Sequence, residues 1–306
     1  MTLLVAVLRR AVAGLVVLWA AATAAYLALL AAPGDTVDSI IGDGADTPLI
    51  RSQIVREWHL DRPAVVQYLD YLWRAAHGDL GRSYLLQRPV RDVIGEQVWP
   101  TLKLALCSAL LGVLLALILA VLTRRPWARR VSSTVELVLV STPPFLIGIV
   151  LLSVFSFRLG AFPVSGDRGF AALVLPAVTL ALPIAGLLTQ VLRDGLDRAL
   201  EEPFAVTARA RGLRESAVLV RHALRHALLP AVTLTGWLFG ILLGGAVIIE
   251  QVFGRPGLGQ VTLSAVTSKD MPVVLAVVVL SAAVYVLLNT AADLANLLVD
   301  PRLRRS

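Results

Sequence analysis

Six long apolar runs, parted by short charged stretches, set the pattern of this chain. They lie at about 9–31, 100–123, 132–157, 171–192, 229–249 and 272–298. A helix needs roughly 20 apolar residues to cross a bilayer. The pattern therefore predicts an all-α polytopic membrane protein with six transmembrane helices. Pro176 and Pro183 interrupt the fourth run and predict a kink there, which membrane helices tolerate where neighbours satisfy the freed backbone groups. The first run follows Arg9 and Arg10, and its apolar stretch, Ala11 to Ala32, is long for a cleaved signal sequence, so it reads as a retained anchor.

Two polar stretches break the pattern. In the first, 33–99, Val65, Val66, Leu69, Leu72, Trp73 and Ala76 recur at helical spacing, as do Ile50, Ile54 and Trp58. Gly-Asp pairs at 34–35 and 78–79 mark turns. A small helical layer is expected, either a cap over the helix ends or a docking surface for a partner. The second stretch, Glu201 to Pro230, reads as two short helices around a glycine. Pro203 suits a first helical position and Gly212 the left-handed residue just past a helix end, giving a helix from Pro203 to Arg211. The run after it puts Val220, Ala223, Leu224, Ala227 and Leu228 on one face and Arg221, His222, Arg225 and His226 on the other.

Composition agrees with lipid. The 306 residues are 57% hydrophobic and 16% charged, where a soluble domain has about a quarter charged. Net charge is +7, but the arginines cluster at the ends of apolar runs, which sets membrane orientation and does not suggest nucleic acid. RRPWARR (124–130) carries four arginines, the 193–227 stretch seven, the PRLRRS tail three and the N-terminus two, whereas 33–99 holds ten acidic residues against seven arginines. The positive-inside rule puts the arginine-rich loops and both termini in the cytoplasm and 33–99 outside. Cys107, the single cysteine, excludes an internal disulfide.

Catalytic chemistry finds little footing. Neither lysine, Lys103 or Lys269, sits in a Walker A loop, which needs glycine before and Ser/Thr after it. GRPGLG (254–259) lacks the lysine and reads as a tight turn between the last two spans. His222 and His226 stand at i, i+4, but with Ala-Leu-Arg between them and arginines flanking them they read as a solvated basic face. No GxSxG elbow is present. Gly236, Gly240 and Gly244 clear one face of the fifth span, and Gly245 widens it; internal packing, a subunit interface and a pathway wall all remain open. Glu136, Asp293 and Lys103 lie near span ends, where snorkelling accounts for them. No acid sits at mid-membrane as a proton-driven carrier would place it.

The order of motifs resembles the permease subunits of ABC importers for dipeptides, oligopeptides and nickel, and most of all the first permease of the pair. TARARGL (207–213) and HALRHALLP (222–230) are similar to the EAA loop of that family. PGD (33–35), LDRPAVVQYLDYL (60–72), GDLGRS (78–83), GGAVIIEQVFGRPGLG (244–259) and KDMPVV (269–274) match in the same order. Pro203 and Val206 depart from the acidic and basic residues usual in relatives. The resemblance implies a type I ABC importer transmembrane domain: an N-terminal helix (1–32), an extracytoplasmic segment (33–99), a five-helix core (100–300) with coupling loop 193–228, and a cytoplasmic tail (301–306). It implies a multi-pass protein of the plasma membrane that is not itself an enzyme and holds no cofactor, ATP and Mg being bound by partners. Those partners would be two cytoplasmic ATPase subunits or domains, a second homologous permease, an extracytoplasmic substrate-binding protein and membrane lipid. The coupling residues would be Glu202, Phe204, Thr207, Ala208, Arg209, Ala210, Arg211 and Gly212, with Phe204 as apolar anchor and Arg209 and Arg211 meeting acceptors on the ATPase. The expected cargo is short peptides. Nickel or another small solute is the alternative, and a stand-alone secondary transporter a more distant one.

Overall fold

The computed structural model describes residues 3–41 and 46–299, with side-chain surroundings set out except at 3–8, 291–299 and part of 229–243. Among these residues the chain is helical, apart from one isolated bridge between Arg82 and Pro89. The helices are α1 (Leu3–Ala31), α2 (Thr36–Ile41), α3 (Pro48–Glu57), α4 (Ala64–Ala76), α5 (Val90–Leu122), α6 (Pro126–Ser141), α7 (Pro144–Leu151), α8 (Ala171–Glu201), α9 (Pro203–Ala210), α10 (Glu215–Val218), α11 (Leu224–Val252), α12 (Leu258–Thr267) and α13 (Met271–Val299). Wider π-helical turns at Leu152–Arg158 and Leu219–Ala223 extend α7 and lead into α11.

Among the described residues, four helices are long and apolar enough to cross a membrane: Arg9–Ala31, Val90–Leu122, Ala171–Glu201 and Met271–Thr290. The third expected span, 132–157, is not one helix. Pro143 and Pro144 end α6 and start α7, because proline at the first helical position has no N–H to leave unpaired; the two parts are bent by 105°. The fourth expected span carries no break at its prolines, since α8 runs on through Pro176 and Pro183 for 31 residues. It also absorbs the start of the polar stretch, to Glu201. The fifth, 229–249, lies inside α11. GRPGLG turns the chain as expected, with Gly254 at φ 51° and the Arg255 N–H bonded to the Glu250 carbonyl at 2.8 Å. The turn leads into α12, not directly into the last span.

The chain forms two compact units: Met1–Thr101 with Pro256–Val286, and Leu102–Arg255 with Leu287–Ser306. In the first, Tyr26, Tyr71 and Leu275 make one buried cluster, and Leu29, Val90, Ile94, Val273 and Val277 another. The helical layer of 33–99 is present as α2, α3 and α4. Its apolar stripe faces outward: Val65, Leu69 and Trp73 are exposed, while Tyr68, Tyr71 and Leu72 turn inward. The loops are tied down by residues far along the chain. Lys269 Nζ donates to the carbonyls of Ala32 and Gly34, each at 2.6 Å. Buried Asp270 accepts from the Ser83 hydroxyl, from Tyr84 N–H at 3.1 Å and from Leu85 N–H at 3.2 Å.

In the second unit α8 is the central post, buried from Leu173 through Leu200 on its inward faces. Gly186 lets α6 approach, since a Cβ there would lie 3.1 Å from the Glu136 carbonyl. Along this seam Glu136 does not snorkel. It is 2% exposed and paired with Arg193, 3% exposed, at 2.6 Å. Arg193 also donates to Thr123 Oγ1 at 2.8 Å, Ser132 Oγ at 3.2 Å and Ser133 Oγ at 3.3 Å. Removing one partner of a buried pair strands the other charge, at a cost of about 3–5 kcal/mol. Glu136→Ala and Arg193→Ala should each lower the thermal midpoint of the detergent-solubilised protein by several degrees. The double variant should lose clearly less than the sum of the two; simple additivity would show that the pair does not act as one.

Candidate functional site: the Glu201–Leu213 turn

The turn begins where α8 ends. Glu202 adopts an extended backbone (φ −67°, ψ 150°), Pro203 opens α9, and the helix stops at Ala210 with Arg211 as its cap. The helix is thus one residue shorter than the sequence suggests. Gly212 follows at φ 82°, and its N–H closes on the Arg209 carbonyl at 2.9 Å. Leu213 N–H reaches back to Ala208 O at 3.2 Å. A Cβ on Gly212 would meet nothing within 4 Å, so it is the left-handed backbone, not space, that favours glycine here.

The inward face of α9 is made of alanines. Ala205 is fully buried and Ala208 nearly so. Both belong to the apolar cluster that contains Leu196, Ala199 and Leu200 of α8, Val218 of α10 and Ala223 and Ala227 beyond it. Small side chains let α9 lie close to its own scaffold. Phe204 is half-buried and stacks on the His226 ring, 4.7 Å between centroids with the planes 24° apart. Arg209 is held from both sides. Its Nε and Nη2 donate to the two Glu215 carboxylate oxygens at 2.9 and 3.1 Å, and its Nη1 to the Leu200 carbonyl at 3.0 Å. That bond holds the Glu215 carboxyl below its ordinary value. The pair's contribution is present above the ordinary glutamate range and fades as pH falls through the lowered value; being exposed, it is modest.

The structure therefore divides the eight predicted coupling residues. Ala208, Phe204 and Arg209 contact their own chain. Glu202, Thr207, Ala210, Arg211 and Gly212 are exposed, together with Val206, noted in the sequence only as a departure from relatives. Thr207 Oγ1 bonds back to the Pro203 carbonyl at 2.9 Å. The Phe204–His226 contact is not legible in the sequence, where HALRHALLP reads as a basic face. The expected apolar face beyond Gly212 holds at Ala223, Leu224, Ala227 and Leu228 and departs only at its first residue. Leu219 is buried and Val220 is 59% exposed, because the π-helical turn at Leu219–Ala223 shifts the register by about one residue.

The glycine stripe in α11 also divides. Gly245 packs inward, where a Cβ would lie 3.1 Å from Leu180 Cδ2, whereas Gly244 faces open space between exposed Ile241 and Ile248. Gly240 is half-buried. Gly236 lies outside the residues whose surroundings are described, as does Asp293.

The backbone requirement at Gly212 gives a test free of any partner. Gly212→Val, β-branched in a left-handed conformation, should cost on the order of 1–3 kcal/mol and speed limited proteolysis near 212. Gly212→Asn, which tolerates this region, should stay close to wild type. Equal behaviour of the two variants would rule out the left-handed turn.

Comparison with known proteins places this arrangement. Residues 112–305 match the family model for the binding-protein-dependent transport system inner membrane component. A glutathione transport system permease protein of Escherichia coli O6:H1 is 36% identical over 276 residues, covering 89% of this chain and 90% of that protein. A protein of Brucella abortus named as a peptide transport system permease is 35% identical over 309 residues, covering 97% and 98%. Among solved structures, the inward-facing MetNI methionine ABC transporter aligns with a TM-score of 0.55 at 22% identity, over 67% of this chain and 95% of its own, a likeness of fold. With that family match over most of its length, and with apolar helices long enough to span a bilayer, the chain belongs to the inner-membrane permease components of binding-protein-dependent transport systems.

Proposed function

We propose that this chain is one of two permease subunits of an ATP-driven importer for short peptides. The observation that carries the proposal is α9, a short helix packed into the core of its unit that still presents Glu202, Val206, Thr207, Ala210 and Arg211 to solvent. Such an element has an outward face to be gripped and an inward face that transmits force. The relatives named for glutathione and peptide transport support a peptide cargo.

In this reading the chain crosses the membrane six times with both termini in the cytoplasm. The bent α6–α7 unit and α11 supply the two spans beyond the four long apolar helices. Alpha-9 lies on the cytoplasmic side, where arginine-rich loops belong, and docks on one of two ATPase subunits that bind ATP and Mg. Ala205 and Ala208 are small so that α9 seats on α8, and the exposed residues meet the ATPase. The open face of α11 at Ile241, Gly244 and Ile248 receives the second permease or lines the pathway. A substrate-binding protein delivers cargo to the other side. ATP-driven closure of the ATPase pair pushes α9, and the packed unit moves as a rigid body to switch the open side of the cavity.

The two faces of α9 predict different failures. Val206→Asp and Arg211→Glu should lower ATP-driven peptide uptake in proteoliposomes about tenfold or more, a loss equivalent to about 1.4 kcal/mol, and leave the thermal midpoint unchanged. Ala208→Leu should destabilise the chain itself by about 1–3 kcal/mol through overpacking. Full uptake by both exposed-face variants would remove α9 as the point of coupling. A uniform loss of stability across all three would make it a purely structural element.

A further inference from the structure

The unit formed by Met1–Thr101 and Pro256–Val286 contains a cavity of about 490 Å³, within the range of small-molecule sites. It lies among α3, α4, the loop after α4 and the start of α13, well away in sequence from α9. Two aromatic rings form part of its wall: Trp58 and Tyr84 meet edge to face, 4.8 Å between centroids. Tyr84 is held by its backbone N–H on buried Asp270, so this wall is set before any ligand arrives.

The charged groups on the wall are balanced and largely uncommitted. Arg74 is paired with Asp70 at 3.3 Å. Glu57, Arg62, Asp79 and Arg82 also line the cavity and take part in no ion pair among the described residues. Asp79 accepts only from Gly81 N–H at 2.9 Å, and Arg82 donates to the Gln87 carbonyl at 2.8 Å. Two carboxylates and two guanidinium groups thus share one concave surface, with no net charge between them. Such a set suits a ligand that carries both signs itself, its carboxylate taken by arginine and its ammonium by a carboxylate.

Tyr71 supplies a second, independent sign. It lines the same cavity, is 6% exposed, and its hydroxyl has no hydrogen-bond partner. Burial pushes that hydroxyl up to about 12, so it stays a neutral donor at any working pH. An unmet buried hydroxyl costs about 1–3 kcal/mol, which a polar ligand reaching it would relieve.

We propose that this cavity is a binding site for a small zwitterion with an apolar body, a short peptide with free termini, separate from the pathway through the membrane. The site would receive cargo on the side that carries residues 33–99. The assignment rests on the peptide-import reading given above for the nature of the cargo, while the charge balance and the aromatic wall stand without it.

The test uses the complete complex of both permeases and the ATPases in lipid nanodiscs, with the substrate-binding protein left out. Equilibrium binding of radiolabelled trialanine is measured for wild type, Tyr71→Phe and Arg62→Ala, with N-acetyl-trialanine amide as a competitor that lacks both charges. Tyr71→Phe keeps the buried ring and Arg62 is exposed, so neither change threatens the fold. Each should weaken trialanine binding about tenfold, and the blocked peptide should fail to compete. Unchanged affinity in both variants, competition by the blocked peptide, or no binding by wild type would overturn the site. ATP-driven uptake of trialanine by wild type with its binding protein is read in parallel. Uptake that persists when the site fails leaves the import reading standing, whereas absence of uptake is the failure of that reading itself.

Discussion

The buried pair of Glu136 and Arg193 fixes the geometry on which the second unit depends. Two full charges lie at the seam between α6 and α8, 2.6 Å apart. In a low-dielectric interior neither is tolerable alone, and their separation leaves little freedom. Thr123 at the end of α5 and Ser132 and Ser133 of α6 accept from the same two terminal nitrogens, so three helices are registered against one guanidinium. Arg129 repeats the link at the exposed rim of the same seam, reaching Asp197 at 2.6 Å and Asp194 at 3.6 Å. Hydrophobic contact alone is weakly directional in lipid, where the solvent is as apolar as the side chains. A charged contact with one good geometry supplies the missing direction. Leu196, Ala199 and Leu200 seat α9 on α8, and α6 is locked to that same helix.

The first unit uses the same device on its loops. Two consecutive residues before α13, Lys269 and Asp270, close the two loops that the sequence marks as PGD and GDLGRS. The motifs are far apart in the chain and adjacent in the fold. Their joint presence in the sequence has a physical basis: an ammonium needs carbonyls left over at the end of α1, and a buried carboxylate needs the N–H groups of the 83–85 turn. Lys269 holds φ at 52° to do so, a left-handed backbone uncommon outside glycine.

Much of this was legible because bilayers impose length and composition. Helices α1, α5, α8 and α13 lie where the apolar runs do, and Pro203 and Gly212 bracket α9 through rules of local geometry. What escaped was decided by neighbours. Pro143 and Pro144 sit in an apolar run, so hydropathy passed over the break they make. Glu136 near the end of a run fits snorkelling until Arg193, 57 residues on, is known to face it. Ala208 has the size a partner contact would need, and the same size serves a contact within the chain. The outward turn of Val65, Leu69 and Trp73 follows from Tyr26 and Thr23 of α1 taking the other face of α4 through the Ala64 carbonyl, at 2.7 Å, and the Tyr68 hydroxyl, at 2.5 Å.

These cases share a cause. In a soluble protein an exposed apolar residue is the informative exception, but here Leu15, Trp19, Leu110 and Leu122 are exposed simply because lipid accepts them. The distinction between inside and outside is then carried by polar residues. Ser83, Glu136, Arg193 and Asp270 are all nearly inaccessible, and each stands at a junction between segments distant in sequence. Arg62, Glu57 and the exposed side of α9 show the complementary case, polar groups kept available. For a chain of this kind, the buried polar residues give the contact map and the uncommitted ones the places where other molecules are met. Apolar patterning gives the frame within which both are read.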